Sequence, residues 1–277
     1  MPAGILPRGG WGHAKPPAGT AIDWGNPLTA GLIRSWLVNE AGGKMLSDGA
    51  KNYPSYLTTV TTAPAWRPGL RGMGVSFTDL ASYAQPTGPV VNTAKVTIEA
   101  LVRYDSSPGG SQTPRDLIGF VDGHGSGTQD KVLSIYRDGE PRAFAYDGAN
   151  RDIFGSAQIA IGTTTHLVMT ADGTNLTLYR NGVQVAQVAC GDTYTSYTQP
   201  NIVIGALSGS SGSTVTIFVA RVWTRALRPG EIMTLAADPF CIYAPPVWRR
   251  YFMPSVSGAA ATSLPPIRPS VSHLIGR

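Results

Sequence analysis

Residues 166–188, HLVMTADGTNLTLYRNGVQVAQV, constrain the fold more than any other stretch. Two alternating runs flank Asn181-Gly182, a pair that accepts the positive φ angles of a type I′ turn and so closes a two-residue hairpin. Taken literally, that turn pairs Leu178 with Val185 and Leu176 with Gln187. Leu176, Leu178, Val183 and Val185 then share one face, and Thr177, Tyr179 and Gln184 share the other. Asp172-Gly173 makes the preceding turn. The product is an antiparallel meander with one apolar face, which requires a second layer to cover it.

The rest of the chain keeps the same rhythm. With 33 glycines, 22 prolines and only 14% charged residues, the composition favours a turn-dense all-β protein over a helical one. Strands are expected over 32–38, 75–83, 117–122, 131–137, 142–147, 201–206 and 214–224. Another covers 96–104, where Val96, Ile98, Ala100, Val102 and Tyr104 alternate onto one face. With the meander these make about eleven or twelve strands, the spacing of a β-sandwich. Residues 47–70 read as irregular. One short helix is expected, with Pro229 in its first turn, Glu231 at its positive end, Ile232 and Leu235 on its apolar side, and Asp238-Pro239 as its stop.

Several of these segments together resemble laminin-G-like domains of the concanavalin A-like lectin and glucanase superfamily. His166–Thr170, Asp172–Tyr179 and Asn181–Val183 are similar to the family's central hairpins. Gly31–Gly43, GLIRSWLVNEAGG, resembles its opening strand and acidic, glycine-rich turn. Val96–Arg103 resembles its first long core strand, and Asn201–Ala206 and Val219–Ile232 resemble its closing strands and terminal helix. The likeness spans roughly residues 26–243, and the pieces occur in the family's order. With Pro64–Gly69 upstream and Ala237–Phe240 downstream, the chain looks most like versions encoded by tailed bacteriophages. The resemblance implies an antiparallel jelly-roll sandwich with a short C-terminal helix. The expected organisation is an extended arm over 1–30, the sandwich over 31–243, and a Pro-rich basic arm over 244–277.

Charge separates these parts. Residues 31–238 hold 16 basic against 16 acidic side chains, whereas 239–277 hold four arginines and no acid. Four arginines over that length are too sparse for a nucleic-acid footprint, so no nucleic-acid partner is expected. No apolar run is long enough to span a membrane, and no charged-then-apolar leader opens the chain. Cys190 and Cys241 match no zinc or redox spacing; free thiols and a disulfide between the last core strands and the tail both remain open.

The expected role is non-enzymatic: a bacteriophage virion component, structural or decorating, whose arms lash it to capsid or tail subunits or to other copies of itself. Trp11 and Trp24 in the first arm, and Trp248, Arg249, Arg250 and Phe252 in the second, are the candidate anchors, gaining order on assembly. Its jelly roll would face outward and touch host surface glycans. The alternative is a lectin-like adhesion domain on a tail or fibre. Candidate sugar contacts are Tyr194, Tyr197 and Gln199 in the 191–200 loop, with Tyr136 and Tyr146 as other aromatics.

Three further chemistries bear on this sequence. The resemblance invites a calcium ion at the sandwich rim, for which Asp147, Asn150 and Asp152 are the candidate ligands; Arg151 among them works against it. Glycoside hydrolysis needs two facing carboxylates, and the comparable strand offers only Glu99, which reads as solvated or ion-paired with Arg103 near it. His166 reads as a satisfied structural residue, and no Gly-x-Ser-x-Gly elbow is present. Phe218 and Val219 stand where many relatives carry an acidic pair, so sites built on that pair do not transfer.

Overall fold

A computed structural model describes residues 11, 14–51, 53–58, 63–69, 72–78, 83–86, 93–107, 114–122, 129–136, 139–192, 200–205 and 214–245. Two antiparallel sheets dominate it. Strands are numbered in chain order. The first sheet runs β14 (Val183–Ala189), β13 (Asn175–Arg180), β12 (Thr164–Ala171), β7 (Val96–Ser106), β16 (Thr214–Trp223), β5 (Gly72–Phe77) and β4 (Ala65–Gly69). Its eighth strand, β1 (Leu32–Trp36), shares one edge of β16 with β5, pairing at Ala220–Trp223 while β5 pairs at Val215–Ile217. The second sheet runs β11 (Asn150–Phe154), β10 (Glu140–Tyr146), β9 (Gln129–Tyr136), β8 (Arg115–Asp122), β15 (Pro200–Gly205), β6 (Tyr83–Pro86), β3 (Pro54–Thr58) and β2 (Met45–Ser47). The expected all-β sandwich is what forms.

The core lies between the sheets. From β7, Val96, Ile98, Ala100, Val102 and Tyr104 all enter it, as their alternation requires, and Ile118, Phe120, Leu133, Ile135, Ile202 and Ile204 come from the other sheet. Each large side chain buried this way contributes about 1.5–3 kcal/mol before entropy is counted.

The outer face of the first sheet is buried as well. Leu101, Val168, Tyr179, Phe218, Val219 and Trp223 project there and pack beneath Ile232 and Leu235 of α1 (Pro229–Ala237) and beneath Ile22, Leu28, Phe240, Ile242 and Tyr243. The first sheet is therefore a middle layer, which is why β7, β12 and β16 are buried along almost their whole length. Glu231 accepts from the backbone N–H of Arg228 at 2.7 Å and pairs with Arg225, fixing the start of the helix.

This third layer corrects the N-terminal arm. Residues 14–30 are not extended away from the domain: Ile22 bridges Tyr243, Asp23 N donates to Ile242 O at 2.8 Å, and Trp11 Nε1 donates to Ala244 O at 3.0 Å. The sheet leaves an apolar face uncovered, and this proline-bearing segment carries apolar residues that can bury against it without regular structure.

Two expectations within the sheets also change. The hairpin turn is the expected one, with Asn181 at φ 51° and Gly182 at φ 83°, but a bulge follows it. Tyr179 pairs with Gln184 and Leu178 with Ala186, leaving Val185 as the extra residue, and Leu176 then pairs with Val188. Residues 47–70 are not wholly irregular, because β3 and β4 lie within them. Pro68 disguises β4 in the sequence; it is tolerated because β4 ends its sheet. Both cysteines are free, and Cys190 lies in the central core while Cys241 packs against the outer layer. Among the described residues no helix is long and apolar enough to cross a membrane.

Candidate functional site

Where the N-terminal segment crosses the end of the first sheet, it leaves a cavity of about 440 Å³, within the range of small-molecule sites. Trp24, Asn39, Glu40, Ser47, Asp48 and Tyr243 supply its aromatic and polar lining. Asp23 sets the first of these: its Oδ1 accepts from Gly25 N at 3.1 Å and its carbonyl from Asn26 N at 2.9 Å. That tight turn holds Trp24 at its tip, 55% exposed.

The opposite wall depends on strained backbone. Val38 has φ 53° and Ala41 has φ 58°, a region that β-branched residues rarely enter and that costs about 1–3 kcal/mol per residue. Lys15 holds the first reversal, its Nζ donating to Val38 O at 2.8 Å and to Met73 O. Burial pushes the Lys15 amine down to about 7, against the opposing pull of Glu40. Asn39 Nδ2 donates to Pro16 O, and Glu40 Oε1 accepts from Ser47 N at 2.7 Å. Glu40 Oε2 is buried and has no hydrogen-bond partner.

The floor is a hydrogen-bonded network. Asp48 Oδ1 accepts from Ser35 N and from Ala50 N, both at 2.9 Å, and Oδ2 accepts from Arg34 at 3.1 Å. Burial nevertheless pushes the Asp48 carboxyl above its usual range. The Tyr243 hydroxyl lies 3.0 Å from Ser35 Oγ, and its ring lies 5.5 Å from the Arg221 guanidinium. Arg221 Nη1 reaches both Glu99 oxygens, at 2.9 and 3.0 Å, and Arg221 Nη2 donates to Pro239 O. His166 Nε2 lies 2.8 Å from Glu99 Oε1. Glu99 is thus fully buried and paired, not solvated, and its partner is Arg221; Arg103 bonds Asp105 instead. Burial alone would raise the Glu99 carboxyl, but Arg221 and His166 hold it below the usual carboxylate range.

Chemically, the cavity offers one exposed indole face, an amide, the Glu40 side chain and a hydrogen-bonded floor. A flat apolar face beside directional polar groups suits a ligand with a hydrocarbon face and hydroxyl edges.

No curated protein sequence matches the chain. The family model described as the concanavalin A-like lectin/glucanases superfamily matches residues 78–233, more than half of the chain. The chain belongs to that superfamily. Solved structures share the superfamily's sandwich at low identity. Domain 4 of AbnA, an extracellular arabinanase from Geobacillus stearothermophilus, in complex with arabinotriose, aligns over 75% of this chain and 98% of its own, with 18% identity and a TM-score of 0.60. The binding domain of Paraclostridial Mosquitocidal Protein 1 aligns over 76% of this chain with 18% identity and a TM-score of 0.59. Trypanosoma rangeli sialidase in complex with the inhibitor DANA aligns over 78% of this chain with 19% identity and a TM-score of 0.55. The chain spans 52% of the mosquitocidal chain and 34% of the sialidase.

Within this superfamily fold the other sequence-derived candidates fare differently. Asp147, Asn150 and Asp152 do not form a cation site. Asn150 and Asp152 lie in β11, and arginines take both carboxylates: Arg151 binds Asp147 at 2.9 Å and Arg142 binds Asp152 at 2.7 Å. Asp147 Oδ2 also accepts from Gly191 N at 2.8 Å, so these residues do not fit calcium. Among the described residues no cluster of three metal-ligating side chains occurs. Tyr136 packs its ring 5.2 Å from that of Phe154, and Tyr146 is 39% exposed. Tyr194, Tyr197, Gln199, Trp248, Arg249, Arg250 and Phe252 lie outside the described residues. Trp11 is packed against its own domain, whereas Trp24, expected as an assembly anchor, stands over the cavity. Asn39, Glu40 and Asp48 are site residues that the sequence does not single out. Their one sequence signal was the acidic, glycine-ended turn after β1.

Proposed function

We propose that this chain is a non-catalytic carbohydrate-binding jelly roll whose sugar site is the cavity beneath Trp24. The observation that carries the reading is an exposed tryptophan over a polar cavity whose lining includes Asn39, Glu40 and Ser47. Stacking on an indole accounts for affinity, and the amide and carboxylate account for orientation. The arabinotriose complex of the AbnA domain, on the same fold, supports this class of ligand by analogy. The full burial of Glu99 and its pairing with Arg221 and His166 argue for binding without turnover.

Glycan-array screening followed by calorimetric titration of the best oligosaccharide tests this. Trp24→Ala should weaken binding by about thirtyfold, the cost of losing one central aromatic anchor, with folding unchanged. EDTA should have no effect. Unaltered affinity in the variant would remove the site from the account. Nothing among the described residues favours the virion-assembly role expected from the arms, since Trp11 is satisfied within the domain.

A further inference from the structure

Resting on the carbohydrate reading, we propose that Lys15 is a positioning residue for the sugar site: it starts the segment that forms one wall and fixes the distance to the wall opposite. Residues 18–22 and Trp24 of that segment line the cavity on one side, and Asn39 and Glu40 line it on the other. Lys15 is absent from the described lining, so it acts through its partners. Its Nζ donates to the Val38 carbonyl at 2.8 Å and to the Met73 carbonyl, tying the residue before Asn39 to β5. The stem is held as closely. Gly72 has φ 116°, and a Cβ there would sit 2.9 Å from Lys15 Cδ and 3.0 Å from Lys15 Cβ, so the lysine methylenes occupy the place of a side chain. The next residue adds a second tie, because Pro16 O accepts from Asn39 Nδ2.

These ties matter because the wall they hold does not hold itself. Val38 sits at φ 53°, which a β-branched residue keeps only when its surroundings impose it. Its side chain is buried in the central core, so the reversal cannot relax by swinging that side chain outward. Its carbonyl still needs a donor, and Lys15 is that donor. Asn39 and Glu40 follow directly, and Glu40 Oε1 carries the restraint on to Ser47 N at 2.7 Å. A sugar that stacks on Trp24 reaches the opposite wall only if the gap is preset, and presetting it spares the ligand the cost of ordering the turn.

Lys15→Met keeps the stem over Gly72 and removes the donors. Amide hydrogen exchange of the full chain tests it first, without any ligand. Ser47 N, bonded to Glu40, should exchange about tenfold faster in the variant, while Gly49 N, bonded to Ser35 O at 2.8 Å, keeps its protection. Calorimetric titration with the tightest oligosaccharide from the array should then show about tenfold weaker binding, and Lys15→Arg, which retains donors for both carbonyls, should recover most of it. Adding Asn39→Ala to Lys15→Met should cost little more than either alone, since both act on one wall, whereas adding Trp24→Ala should multiply the two losses. A lysine that only stabilised the domain would instead lower the unfolding temperature and give multiplied losses in both pairs. Unchanged Ser47 exchange, or multiplied losses with Asn39→Ala, overturns the role of Lys15 and leaves the carbohydrate reading standing. A blank array sinks that reading, and the sugar role of Lys15 with it, whatever Ser47 does.

Discussion

Glu99, Arg221 and His166 show what one buried charge cluster does for the whole outer layer. The carboxylate accepts from Arg221 and lies 2.8 Å from His166 Nε2; Arg221 in turn holds the Pro239 carbonyl and lies over the Tyr243 ring that lines the cavity. Removing one member leaves an uncompensated charge in a dry site, so Glu99→Ala should destabilise the fold by about 3–5 kcal/mol. The sign with pH follows from the depressed Glu99 carboxyl: its stabilisation is complete above the ordinary value of 4.5 and is lost as the pH falls below it. Urea unfolding across that range should show a steeper acid loss for wild type than for Glu99→Gln. Matching acid limbs would contradict the cluster's role. Glu99 stood out in the sequence as a polar residue in a core strand, but its partner lies 122 positions away, and only the pairing of β7 with β16 brings them together.

At the scale of elements, the hairpin of β13 and β14 does more than close a meander. Its Asn181 Oδ1 accepts from His166 N at 3.0 Å, and a Cβ on Gly182 would sit 3.1 Å from Ala236 Cβ and 3.2 Å from Met233 Cα of α1. Gly182→Ala combines a left-handed backbone penalty of about 1–2 kcal/mol with that crowding, so it should lower stability by at least that much in chemical denaturation. A neutral result would mean that the helix and turn are not packed as described. The turn itself was legible because Asn-Gly dictates it locally. The bulge at Val185 was not, since no local preference demands it: Val185, Ala186 and Val188 all pack partly against the core, and only that packing sets the register. β4 was hidden for the complementary reason, because Pro68 argues against a strand until its edge position is known.

At the largest scale, the described residues form a sandwich with a third layer, and the candidate site exists only because of that layer. Alternation in β7 and the turn spacing made the two sheets readable, since each follows from a period along one stretch of chain. The cavity has no such period. It is assembled from residues 18–24, 35–49 and Tyr243, joined when Ile22 bridges Tyr243 and Asp48 ties its turn to Ser35. Trp24 could be recognised as an aromatic seeking a contact, but whether that contact lay in another subunit or over its own domain was undecidable without the fold. A crystal structure of the full chain with the tightest oligosaccharide from the array tests the account most directly. The account predicts a sugar ring against the Trp24 indole with its hydroxyls toward the polar lining that includes Asn39 and Glu40; a sugar held instead at Tyr194 and Tyr197, with the Trp24 cavity empty, would contradict it.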